Sequence, residues 1–339
     1  MKKTLLTSAI LAALASGSVS AAQVYKDETH SVDVYSKIQG MYYSSDDKDE
    51  DGDQSYFRLG AKAKSSITDT TYAFARFELE WAATRGSDND VRLGYAGLGN
   101  KTYGELSYGR QYGAYTLVAD FTDVLYEFGA DASGTGTDTF GTGKSDALLK
   151  YAVSFGGAEI HANFQTDNNY EQDIFNEGKD KKDQTNDTVQ SYGIAATYGF
   201  DFGVNIGAAY NQGERLDSSA GDAKMTAFAI NYDANNIYAA VLYSFGDDWG
   251  KKKITSKDVD YTAVEAALGY DFGNGFSALA GYNWQEAKEK GAKSEDTVKY
   301  YTFGAQYKFN KQFAVYTEYK ADQIKGAEDI LALAAVYKF

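Results

Sequence analysis

The chain has 339 residues, with 48 acidic against 33 basic side chains and a formal charge of −15. An acidic excess of this size excludes the basic face that nucleic acid requires, so no nucleic acid is expected as a partner. Cysteine and proline are absent and histidine occurs twice, which leaves no disulfide framework and no Cys/His cluster for a metal, and no cofactor is expected.

The first segment, "MKKTLLTSAILAALASGSVSAA", has Lys2 and Lys3 before an apolar stretch from Leu5 to Ala15 and the small residues Val19-Ser20-Ala21. That pattern is a secretory signal peptide cut after Ala21, and its apolar run is shorter than the roughly 20 residues of a spanning helix. Cleavage leaves residues 22–339 as one domain, and losing two lysines takes the charge from −15 to −17.

From there the period is two nearly everywhere. "SVDVYSKIQGMYY" sets Val32, Val34, Ile38 and Tyr42 against Asp33, Tyr35, Lys37 and Gln39. "YAFARFELEW" sets Ala73, Ala75, Phe77, Leu79 and Trp81 against Phe74, Arg76, Glu78 and Glu80. Three later segments repeat the pattern. Val264, Ala266 and Leu268 oppose Tyr261 and Glu265; Ala278, Ala280 and Tyr282 oppose Ser277 and Asn283; Tyr301, Phe303 and Tyr307 oppose Thr302 and Gln306. The final "DILALAAVYKF" puts Leu331, Leu333, Ala335 and Tyr337 on one face. Such alternation means strands with one apolar and one polar face. Mean hydropathy is −0.47, and helical spacing is not sustained after the signal segment.

The connections alternate as well. Short ones ("ITDT", "GNKT", "FGGA", "GFDFG", "DANN", "FGNG", "FNKQ") take turns with long polar ones ("SSDDKDEDGDQ", "TRGSDND", Gln111 to Lys144, "TDNNYEQDIFNEGKDKKDQTNDT", "GERLDSSAGDA", "GDDWGKKKITSKD", "EAKEKGAKSED"). This describes an up-and-down antiparallel meander of about 16 strands of ~10 residues, the length a tilted strand needs to cross a bilayer. A soluble sandwich would bury the apolar faces between two sheets. An even strand tally and aromatic rings at strand ends favour a closed transmembrane β-barrel, with its apolar face in lipid and its polar face lining water. A lipid-facing Arg or Lys at mid-plane costs about 2–4 kcal/mol, so Lys37, Arg58, Arg76 and Glu78 point into the bore.

At this level of detail the chain resembles the general diffusion porins of Gram-negative outer membranes, of the 16-stranded trimeric type. "AQVYKDETHSVDVYSKIQG", "YFRLGAKAKSSIT", "VRLGYAGLG" and "ELSYGRQYG" are similar to porin strands, and "FTDVLYEFGAD" resembles the third loop that folds into the lumen. The resemblance implies a homotrimer in outer-membrane lipid and lipopolysaccharide, reached through the periplasm and passing ions and small hydrophilic solutes. It also implies that the terminal Phe339 is a signal for the outer-membrane assembly machinery. For the constriction it implies a basic wall of Lys37, Arg58 and Arg92, with Arg110 and Lys150 nearby and Lys144 after the loop. Opposite stand Asp123, Glu127 and Asp131 on the loop, and Glu78 is a wall carboxylate. Arg76 adds a cation where the family is commonly neutral. Two further departures are Tyr126, where the family has proline before "EFG", and a second loop, "TRGSDND", shorter than the family's latch onto its neighbour.

Other chemistries fare worse. "DKDEDGD" lacks the twelfth-position Glu of a calcium loop, and "ASGTGTDTFGTGK" has no phosphate-loop frame. Catalysis would need a base beside a nucleophile; His30 lies at the first strand's edge, and His161, near Glu159 and Asn163, has no serine in its segment, so no enzyme is expected. A substrate-specific sugar channel is the alternative function, needing a continuous lumenal aromatic track for which Tyr35, Phe74 and Tyr261 are scattered candidates. The acidic excess points to a preference for cations.

Overall fold

A computed structural model describes residues 21–84, 89–135, 141–166, 190–214, 222–247 and 259–339. All of the expected signal segment but Ala21, most of "TRGSDND", nearly all of the fourth and sixth long connections, and parts of the fifth and of "ASGTGTDTFGTGK" lie outside them.

Among the described residues there are 18 strand segments, all paired antiparallel: β1 (Ala22–Lys26), β2 (His30–Ser45), β3 (Gly52–Asp53), β4 (Tyr56–Ser66), β5 (Thr71–Ala82), β6 (Asn89–Asn100), β7 (Gly104–Tyr112), β8 (Lys144–Phe155), β9 (Ala158–Gln165), β10 (Ser191–Gly199), β11 (Val204–Gly213), β12 (Ala223–Ala234), β13 (Ile237–Asp247), β14 (Val259–Asp271), β15 (Phe276–Glu289), β16 (Glu295–Lys308), β17 (Phe313–Asp322) and β18 (Ile330–Lys338). They make a closed barrel of 16 staves. The short β3 only decorates the first outer loop, and β1 and β18 share one stave. β18 pairs with β2 from Ile330↔Ser45 to Lys338↔Lys37, Phe339 exchanges both backbone bonds with Ser36 (2.9 and 3.1 Å), and β1 takes over at Ala22↔Val34. Both ends of the described chain therefore complete the wall. Closure leaves no sheet edge in lipid.

Local chemistry fixes the hairpins. Asn235 and Asn236, at φ 56° and 63°, turn the chain between the paired Ala234 and Ile237. Gly156 and Gly157, at φ 54° and 85°, do the same between Phe155 and Ala158. Two successive left-handed residues form the turn whose twist matches the flanking strands. The expected short connections all occur at one end of the barrel, the periplasmic end of this architecture.

The outer face follows the alternation. Ile38, Tyr42, Phe77, Leu268, Phe303 and Leu333 are each exposed to about half their surface or more on the bare wall. Aromatic pairs collect by the short turns, as at Tyr270–Phe272–Phe276 and Tyr307–Phe309–Phe313, and Tyr243, Phe245, Tyr301 and Tyr319 stand toward the other end. Two girdles around an apolar band are what a lipid-facing barrel wall requires. One long connection is shorter than expected. Within "EAKEKGAKSED", β15 runs to Glu289 and β16 resumes at Glu295.

Candidate pore constriction

The third long connection leaves β7 at Gly113 and turns inward, opening with α1 (Thr116–Ala119). Its Ala114, Tyr115, Val118 and Phe128 join one buried cluster with the wall residues Ala209, Ala227, Leu242, Ala263, Tyr300 and Ala332. The wall is cut away to admit it. A Cβ at Gly281 would lie 2.5 Å from the Leu125 side chain, and one at Gly304 would lie 2.9 Å from the Tyr126 ring. The expectation of a polar inner face throughout is corrected here. Across β10–β18 much of that face is small and apolar because the loop, not water, covers it.

Two wall carboxylates that the sequence reading did not single out for the site hold the loop. Glu265, 1% exposed, accepts from the backbone N–H groups of Ala132 (2.9 Å) and Ser133 (2.6 Å) and from the Thr122 hydroxyl (2.6 Å). Glu318, fully buried, accepts from the N–H groups of Tyr126 (2.8 Å), Glu127 (3.1 Å) and Phe128 (3.2 Å). Successive amides converging on a carboxylate form strong, charge-assisted bonds. The departure at Tyr126 finds its reason in this contact: proline has no N–H to give Glu318. Its hydroxyl also meets Ser277 Oγ at 2.9 Å. Tyr126→Pro is therefore expected to destabilise the fold by about 1.5–3 kcal/mol, the range for one bond to a charged group, measurable as a lower unfolding midpoint with conductance retained.

On the uncovered wall, β2 to β6 bring charges into register. Lys37 stands opposite Arg58, and Arg58 opposite Glu80. Arg58 donates to Glu80, and Lys37 to the Tyr56 hydroxyl. Arg92 donates to Glu78 Oε1 at 2.8 Å and lies 3.6 Å from Glu80 Oε2. Arg76 donates to Glu78 Oε2 at 3.1 Å and to the Tyr35 hydroxyl at 2.8 Å. Lys37, Arg58, Arg76, Arg92 and Glu78 thus sit in one network. Glu80 is the member missed, although its position on the polar face of β5 was legible.

Facing this ladder, Asp123 is exposed on the loop and its field reaches Arg58 and Arg92. Asp120, also exposed at the end of α1, feels Lys150 and Asp123 in the same way. Glu127 is tied to the wall, accepting from the hydroxyls of Tyr43 (2.5 Å) and Tyr316 (2.9 Å). Asp131 accepts from the Tyr300 hydroxyl at 3.0 Å. Lys150 donates to the Tyr112 carbonyl oxygen at 3.0 Å, and Lys144 lies beside Tyr112 in register. Arg110 has different company from the ladder. It donates to the Val91 carbonyl oxygen (2.6 Å) and to Asp146 (3.1 Å), beside a register shift at which β8 carries one extra residue opposite the step from Gly109 to Gln111. Of the aromatic candidates, Tyr261 lies beneath the loop at 1% exposure. Tyr35 is locked between Arg76 and Glu78, and Phe74 neighbours Tyr72 and Tyr95. These three make no continuous track.

A closed 16-stave barrel with an inward third loop has a clear counterpart among known proteins. The profile of the Gram-negative porin family matches residues 26–339. The chain belongs to that family. It is 34% identical to the outer membrane porin PhoE of Enterobacter cloacae and 34% identical to the outer membrane porin N of Escherichia coli K12, in each case over all of both chains. Its structure superposes on an OmpF of Salmonella typhi, solved in complex with daunomycin, with a TM-score of 0.82 over 94% of this chain and all of that one, at 25% identity. As a porin the protein is a general, passive channel of the Gram-negative outer membrane and not an enzyme.

Proposed function

We propose that this porin is a homotrimer whose constriction lies between the ladder of Lys37, Arg58, Arg76 and Arg92 and the loop acids Asp120 and Asp123, and that it prefers cations. Glu78 and Glu80 hold the arginines in place, Glu127 and Asp131 fix the loop, and Lys144 and Lys150 flank it. The observation that supports the reading is that the loop acid Asp123 acts electrostatically on Arg58 and Arg92 of the ladder, with Asp120 beside it acting on Lys150. The ladder's arginines are largely neutralised by their own carboxylates, whereas Asp120 and Asp123 are exposed. Lumenal selectivity follows pore lining and width, and a net negative channel concentrates cations. In the same reading, cleavage after Ala21 leaves residues 22–339, Phe339 is the group read by the assembly machinery, and lipopolysaccharide surrounds the outer rim.

Planar-bilayer recording tests this. The expected result is three equal conductance steps per insertion and a cation-directed reversal potential in a potassium chloride gradient, reduced in Asp120→Asn/Asp123→Asn. An anion-directed potential, or one unmoved by that double substitution, would contradict it. Current block by millimolar sugar would favour a substrate-specific channel instead.

A further inference from the structure

We propose that the short-turn end of the bore carries a subsite for zwitterionic solutes, small molecules that combine an ammonium, a carboxylate and an aromatic or large apolar group. A cavity of about 510 Å³ opens there against β5 to β9, a size typical of small-molecule sites. Its lining holds both signs of charge, in Glu105, Glu159, Lys101 and Lys150, together with the rings of Phe74 and Tyr95. None of these six is a member of the ladder or an anchor of the loop.

The strands assemble the cavity rung by rung. Glu105, Ala152 and His161 are successive register partners across β7, β8 and β9, and the short Ala152 leaves room between its two longer neighbours. Glu159 stands one rung nearer the turn and Lys150 one rung nearer the loop. A rung spans about 7 Å of strand, so both signs lie within reach of one small molecule. Each carboxylate is oriented through one oxygen: the Tyr72 hydroxyl donates to Glu105 Oε1 at 2.7 Å, and His161 Nε2 lies 2.8 Å from Glu159 Oε1. A carboxylate has acceptor sites beyond one such bond, and they suit an incoming ammonium. Lys150 donates to the Tyr112 carbonyl oxygen at 3.0 Å and Lys101 to that of Asp69 at 2.7 Å. Each ammonium has three donors, so a solute carboxylate can share it, while the fields of Asp120, Glu159 and Glu105 also reach Lys150. The apolar side depends on glycine. A Cβ at Gly97 would lie 2.7 Å from the Phe74 ring, which reaches over β6 and meets Tyr95 edge-on with centroids 6.4 Å apart. Lys64 caps the Tyr72 ring at 3.5 Å, which leaves Phe74 and Tyr95 to receive the apolar group. A purely cationic solute would meet Lys101 and Lys150, and a purely anionic one Glu105 and Glu159. A zwitterion finds its complement at both ends.

The inference goes beyond passive diffusion and rests on the pore reading only for access, so binding is measured apart from current. Phenylalanine is titrated into folded, detergent-solubilised protein at neutral pH and followed by ligand-observed NMR. Saturable binding in the millimolar range is expected. Phenethylamine and phenylpropionate, which keep the ring and one charge each, bind about fivefold more weakly or worse. Glu105→Gln/Glu159→Gln weakens phenylalanine binding by about tenfold, since charge-assisted bonds become neutral ones. Asp46→Asn/Asp49→Asn makes the same charge change in the first outer loop and leaves binding unaltered. The ligand series uses the wild-type protein, so its answer stands whatever the variants do to folding. No saturable binding of phenylalanine, equal binding of the three ligands, or equal weakening by both double variants overturns the proposal. A failure to conduct would instead count against the pore.

Discussion

Replacing Glu265 and Glu318 together with alanine is expected to release the third loop from the wall. The pair accepts five backbone N–H bonds and one hydroxyl bond from residues 122–133. Each buried group left without its partner costs about 1–3 kcal/mol, so the loop cannot stay docked without its anchors. The measurable outcome is a larger, noisier single-channel conductance, a raised solute size limit and a lower unfolding midpoint. Glu318→Gln keeps an acceptor oxygen for the amides and is expected to show a milder form of the same change. Unchanged conductance and stability in the double alanine variant would mean that the apolar contacts of Tyr115, Val118 and Phe128 hold the loop unaided.

Val241→Arg is the second large effect. Val241 is 47% exposed on the bare outer wall, with Ile230 and Ala266 as register partners, between the turn at Ile237 and the rings of Tyr243 and Phe245. A cation there meets hydrocarbon and costs about 2–4 kcal/mol. Folding titrations into lipid vesicles should register that loss. Lys62 already sits inside the bore, against the Tyr35 ring, and Lys62→Arg should leave folding stability near wild type.

The outer wall was legible in the sequence because lipid tolerates few exceptions, so Ile38, Leu268 and Phe303 recur at period two. The hairpins were legible because Gly-Gly supplies left-handed backbone at no steric cost and Asn-Asn tolerates it better than other side chains do. The inner wall was not. Ala227 and Ala263 face a docked loop, yet alternation alone reads them only as inward. Glu265 and Glu318 become anchors through contacts to a loop more than 130 residues earlier in the chain, a pairing that no local pattern encodes. Arg110 was read from resemblance alone, and its bond to Asp146 sits at a β7–β8 register shift that no local pattern encodes. "EAKEKGAKSED" looked like a loop because it is charged, but Trp284 on β15 donates across to Asp296 on β16, which Lys299 also holds from within β16, and the hairpin carries on as solvated strand.

The most direct test of the whole account uses the absence of native cysteine. Single cysteines at Leu268, Phe303, Lys62 and Asp123 are reconstituted in lipid and treated with a charged, membrane-impermeant thiol reagent. The account predicts rapid labelling at the Lys62 and Asp123 positions and protection at the Leu268 and Phe303 positions. Labelling of the latter pair as fast as the former, or the reverse pattern, would contradict a greasy exterior wrapped around a wet bore.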